Sequence, residues 1–104
     1  ILGSGGGGDP ANAKMLTNYL MEQYGPIKMI TVDELKPDDL VVPLSMMGAP
    51  LINMERLMSG REWEILLETV EERVGKPTVL MSAEIGGANA FTALLAAAKS
   101  GLPV

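Results

Sequence analysis

From Pro10 to about Tyr24 the apolar residues Met15, Leu16, Tyr19, Leu20 and Tyr24 recur at helical spacing, and Gly25-Pro26 follows where such a helix should stop. Asp9 and Pro10 suit the start, as an N-cap and a first helical residue. The next run, Ile27 to Val32, is β-branched and apolar, which predicts a strand; Thr31 and Glu34 then stand at capping-box spacing for a short turn. Polar Lys36-Pro37-Asp38-Asp39 leads into a second predicted strand, Leu40 to Ser45. Pro43 inside it has no N–H to give to a ladder, so this strand should be an edge, carry a bulge or run shorter than its pattern.

Beyond Met46-Met47-Gly48-Ala49-Pro50 the pattern turns helical for a short piece around Leu51 to Met58. Ser59 and Glu62 repeat the capping-box spacing, and Trp63, Leu66, Leu67, Val70 and Val74 form the predicted buried stripe of the next helix, ended by Gly75 and Pro77. The charged residues between Arg61 and Arg73 supply its solvated face. Thr78 to Ala83 reads as a buried strand with Glu84 at its carboxyl end; Gly86-Gly87 leads into an alanine-rich helix from Ala88 to Ser100, and Gly101 stops it. Ile1-Leu2 and Leu102-Pro103-Val104 look like strand ends. Alternation of helix and strand predicts an α/β fold, a mostly parallel sheet with helices packed on it, in which the three inner strands share one sheet. Strand stubs at both ends predict a single α/β domain over residues 1–104, a fragment of a larger two-domain protein, whose open edges favour a homo-oligomer.

Composition narrows the chemistry. A chain of 104 residues with 47% hydrophobic content suffices for one small domain. Eight Lys and Arg against thirteen Asp and Glu leave a net charge of −5 and no basic patch, which argues against a nucleic-acid partner. No run approaches the roughly 18 apolar residues of a membrane span, and no signal pattern opens the chain, so a cytoplasmic location is expected. Without Cys or His there is no thiolate, imidazole base or usual transition-metal ligand. Carboxylates, a few cations, hydroxyls and exposed backbone remain; no spacing supports a metal site, and the cofactor is left undefined.

The glycine run Gly5-Gly6-Gly7-Gly8 ahead of Asp9-Pro10 lets the backbone approach something closely. It reads either as a loop cradling a polar small molecule at a helix N-terminus or as a flexible connector. Gly3, Gly5 and Gly8 also satisfy G-x-G-x-x-G, with Asp33 placed for a ribose, so a nucleotide-binding Rossmann-like domain is an alternative. Against it, Asp9 sets a negative charge at the helix N-terminus and Pro10 removes a donor there.

Gly5-Gly6-Gly7-Gly8-Asp9-Pro10, Val42-Pro43 with Met46-Met47-Gly48-Ala49-Pro50, and Glu84-Ile85-Gly86-Gly87-Ala88-Asn89-Ala90 with Gly101-Leu102-Pro103-Val104 together resemble the N-terminal domain of the S-methyl-thiohydantoin desulfurase family, a hydantoin-utilisation-associated domain. The resemblance runs across essentially the whole chain, with Ala88 standing where a larger aliphatic residue is expected. It implies an intracellular protein acting on, as a hydrolase or desulfurase, or accompanying action on, a hydantoin- or thiohydantoin-like cyclic ureide, in a family whose members continue into a second domain. The remainder of its own polypeptide is then a partner. The lack of His and Cys keeps open a non-catalytic accessory or subunit-interface domain.

A hydantoin ring presents alternating C=O and N–H groups that exposed backbone in two glycine turns can pair with. Both turns follow strands, and parallel strands open their carboxyl ends to one crevice. The expected ligand-binding residues are Gly5, Gly6, Gly7, Gly8, Met46, Met47, Gly86, Gly87 and Asn89, with Glu84 or Asp9 as the catalytic base that activates water. Plainer roles stand beside these: Asp9 and Asn89 as helix caps, Met46 and Met47 as core filling, Trp63 as packing.

Overall fold

The computed structural model describes residues 5–48, 55 and 59–104. Helix α1 spans Pro10–Tyr24; Asp9 caps it, its Oδ1 accepting from the Ala11 N–H at 2.9 Å, and the Gly25 N–H closes it onto the Met21 carbonyl at 2.9 Å. Strand β1 is Val41–Leu44, helix α2 is Arg61–Arg73, strand β2 is Val79–Ser82 and helix α3 is Thr92–Ser100. Of the short helix expected around Leu51 to Met58 only Glu55 is described, in helical conformation, and the stub Ile1-Leu2 lies outside the described residues.

β1 and β2 run parallel with Val41 opposite Val79 and Leu44 opposite Ser82, and the helices pack on this pair, so the α/β class holds. The layer continues beyond β2 by single contacts. The Leu80 N–H donates to the Pro103 carbonyl at 2.8 Å, and Val104 is flanked by Lys28 and Ile30, donating to the first at 2.9 Å and accepting from the second at 2.8 Å. Ile27 to Val32, expected as a regular strand, therefore contributes only this bridge among the described residues: it is separated from β1 by two segments and passes at once into a 3-10 turn, Val32–Glu34. The predicted capping box forms there, the Thr31 N–H reaching Glu34 Oε2 at 2.7 Å.

Pro43 sits inside β1 without harm. The Leu40 and Leu44 carbonyls accept from Thr78 and Ala83, so alternate residues turn their backbone groups toward β2 and Pro43 turns its nitrogen away. Its missing donor blunts the outer edge of an edge strand, as expected from the sequence.

The core lies between this layer and the helices. Val42, Leu44, Leu80, Trp63, Ala93 and Ala96 are buried at its centre. The alanines of α3 bring its backbone close to β2 and to α1. That closeness changes which residues of α1 pack: Thr17 is buried and Leu16 and Leu20 lean on the core, while Met15, Tyr19 and Tyr24 stay 67%, 56% and 60% exposed. A narrow seam against small residues takes a threonine where a wide stripe was expected. Thr17 satisfies its hydroxyl on the Ala13 carbonyl at 2.8 Å.

On α2 the stripe holds for Trp63, Leu66, Leu67 and Val70, but Val74 is 70% exposed because the helix has already ended at Arg73. Of the capping box expected at Ser59 only the returning half forms, its N–H and hydroxyl donating to Glu62 Oε1 at 3.1 and 2.9 Å, while the N-cap of α2 is Gly60, which has no side chain to cap with. The alanine-rich helix expected from Ala88 begins later, at Thr92, because Gly87–Phe91 forms a 3-10 turn first; Gly101 ends it as anticipated.

Candidate functional site

The parallel register brings the exits of β1 and β2 side by side. Leu44 pairs with Ser82, the Ala83 N–H donates to the Leu44 carbonyl at 2.9 Å, and the next residues, Ser45 and Glu84, meet: the Ser45 hydroxyl donates to Glu84 Oε1 at 3.3 Å. Both are half-buried. Ser45 was not among the expected site residues. The sequence signal was weak, since a serine after a strand acquires meaning only when the partner strand and its register are known.

One residue further along, Met46 continues β1's alternation toward the partner side, where β2 has already turned away. Asn89 takes the vacant ladder position. Its Oδ1 accepts from the Met46 N–H at 3.0 Å and its Nδ2 donates to the Met46 carbonyl at 3.1 Å, while Thr92 adds its hydroxyl to Oδ1 at 3.4 Å. Asn89 is 7% exposed, and its amide is committed to the backbone rather than turned to solvent. Met46 is half-buried against the core, whereas Met47 is 96% exposed.

The two glycine turns meet each other. The Ala88 N–H donates to the Gly7 carbonyl at 2.9 Å. A Cβ on Gly6 would run into the Gly86 carbonyl, one on Gly86 into the Gly5 carbonyl, and one on Gly87 into the Gly7 carbonyl; at Gly8 it would come within 2.7 Å of the Ala88 Cβ. Gly6 and Gly87 also have φ of +106° and +59°, where a side chain is strained regardless of space. The small Ala88, at a position where a larger aliphatic was expected, fits this close contact. Gly5 and Gly7 differ, because among the described residues nothing lies within 4 Å of where their Cβ would be. Close approach is thus made, at four of these six glycines, by the other turn of the same chain.

Of the expected residues, then, Glu84, Asn89, Met46 and the glycines gather at the carboxyl ends of β1 and β2 and the turns that follow. Asp9 is exposed, adjoins Gly8 in the chain, and has Oδ1 bonded to its own helix. Among the described residues no group of three or more carboxylates converges as a metal site, and no helix is long and apolar enough to cross a membrane. A separate hollow of about 160 Å³ lies between the three helices, walled by Leu16, Leu20, Trp63 and Leu95 with Lys99. It shares no lining residue with the glycine turns. The Lys99 ammonium there is bonded to Glu64 at 2.8 Å, which raises its pKa above the usual lysine value.

A small parallel α/β unit with its polar groups and glycine turns at the strands' carboxyl ends defines the class of the domain. The family model of the S-Me-THD-like N-terminal domain matches residues 1–104, and the chain belongs to that family. No curated protein and no solved structure matches the chain.

Proposed function

We propose that this domain is part of an enzyme that hydrolyses hydantoin- or thiohydantoin-like cyclic ureides, with the ring held at the carboxyl ends of β1 and β2. The observation that carries the reading is the Ser45–Glu84 pair, a half-buried carboxylate at the exits of two parallel strands, beside two glycine turns. A carboxylate in that setting suits a general base. Membership of the S-Me-THD-like family supports the substrate class. The open sides of Gly5 and Gly7 suit a flat ring, while Gly6, Gly8, Gly86 and Gly87 hold the turns together.

On an S-methylated thiohydantoin, Glu84 draws a proton from water, the water oxygen bonds to the ring carbon that carries sulfur, and the carbon–sulfur bond breaks. That proton leaves on methanethiol, and the second water proton ends on the ring nitrogen, which yields the hydantoin. Glu84 serves as the base here because the Asp9 carboxylate already caps α1. One observation favours a non-catalytic domain instead, namely that most of the glycines are occupied by each other. The same experiment separates the two readings: in the full-length enzyme, Glu84→Gln should remove methanethiol release while leaving the melting temperature within a few degrees. Turnover at the wild-type rate would overturn the catalytic reading.

A further inference from the structure

We infer that Ser45 is a positioning residue for Glu84, and that its own placement is enforced from both sides along the chain; this rests on the reading of Glu84 as the base. Leu44, before it, is 1% exposed and accepts the Ala83 N–H at 2.9 Å. Met46, after it, is gripped at both backbone groups by the Asn89 amide, at 3.0 and 3.1 Å. A residue between two fixed neighbours has almost no freedom in φ and ψ. Its side chain falls on the opposite face from Leu44 and Met46, by the alternation of an extended chain.

That fixed hydroxyl donates to Glu84 Oε1 at 3.3 Å. Glu84 follows β2 with no regular element around it, so its side chain has three torsions to settle and this bond to settle them. A carboxylate held by one oxygen presents the other in a defined direction, which is what proton transfer from a bound water requires. Asn89, expected from sequence to touch the ligand, acts at one remove, through Met46 and Ser45. Ser45 and Glu84 are 39 residues apart, and Asn89 and Met46 are 43 apart, so one long-range contact reaches the carboxylate and a second holds the residue next to its donor.

The test compares Ser45→Thr, which keeps the hydroxyl, with Ser45→Val, which has nearly the same shape without it, in the full-length enzyme with an S-methylated thiohydantoin as the probe. Loss of one such bond in the transition state is expected to lower kcat roughly fivefold to tenfold in the valine variant with KM unchanged, and threonine should restore it to within about twofold. A purely structural serine would shift the melting temperature and leave that kcat difference absent. If Ser45→Val does not fold, Ser45→Ala is read in its place. Equal kcat for the threonine and valine variants, with Glu84→Gln inactive, overturns the positioning role alone; an active Glu84→Gln overturns the reading of the base as well.

Discussion

Asn89 holds Met46 by both of its backbone polar groups, so a side-chain amide does at this point what a neighbouring strand does elsewhere in the layer. The exit of β1 and the glycine turn after β2 consequently form one mechanical unit. Asn89→Ala leaves the Met46 N–H and carbonyl without partners at a half-buried site, and a loss of about 2 kcal/mol is expected in urea denaturation. Asn89→Asp keeps the acceptor but loses the donor and brings a charge to a position 7% exposed, so it should be no better than alanine at neutral pH. Stability equal to wild type in either variant would show that the clamp contributes nothing.

The glycines sort into two groups that respond differently to a methyl. Gly86→Ala drives a Cβ into the Gly5 carbonyl, and Gly87→Ala meets the Gly7 carbonyl at positive φ, so both should destabilise the domain by more than about 2 kcal/mol. Gly7→Ala meets no described atom within 4 Å and has no positive φ, and should be neutral or stabilising by up to about 1 kcal/mol. Calorimetry of the three variants checks this ordering. A stable Gly7→Ala protein that no longer binds hydantoin in titration would place the ligand against that turn.

Acid should lower the stability of the domain modestly, through three carboxylates near the surface. Glu34 is held below its usual pKa chiefly by the Thr31 N–H, Asp39 by the Lys36 N–H and then the Thr78 hydroxyl, and Glu62 by N–H groups at its own turn and at Ser59. A carboxyl whose folded value is depressed stabilises the fold above its unfolded value, about pH 4, and that contribution disappears as pH falls through the lowered value. Melting temperatures should be level between about pH 5 and 7 and drop below about pH 4, with a shallower drop for Asp39→Asn. Lys99 has the opposite sign: raised by Glu64, it stabilises below about pH 10.4 and ceases to do so at higher pH. A melt unchanged down to pH 2 would contradict the assignment.

Leu80 is 1% exposed at the centre of the core, and Leu80→Ala should cost about 2–5 kcal/mol. Val74→Ala, at a residue once expected in the same core but 70% exposed, should change stability by less than about 0.5 kcal/mol. Guanidinium titration of the pair measures the difference directly, and similar losses for both would mean that Val74 packs after all.

The helix α1, the end of α3 at Gly101, the Thr31 and Ser59 caps and the family itself were legible in the residues. The family rests on motifs spread along the chain, and the others depend on chemistry within a few positions, such as an Asp before a Pro, a Ser three before a Glu, or a Gly where the chain must reverse. Pro43 narrowed its strand to an edge, a bulge or a shortened run, because a residue without an N–H has few places in a sheet. Tertiary structure decided the rest. Whether Ile27 to Val32 became a strand turned on which neighbour reached it, and among the described residues only Val104 did. Which side of α1 packed turned on how near the alanines of α3 allowed it to come. The glycine run shows the division most sharply: its sequence demanded a close approach, but only the fold revealed that Gly86 and Gly87 make it, and only the register of β1 on β2 set Ser45 beside Glu84. Local rules read caps and turns because their partners are neighbours in the chain, whereas these contacts join residues about 40 or more positions apart, and no short-range pattern encodes which of many such pairs the packed layer selects.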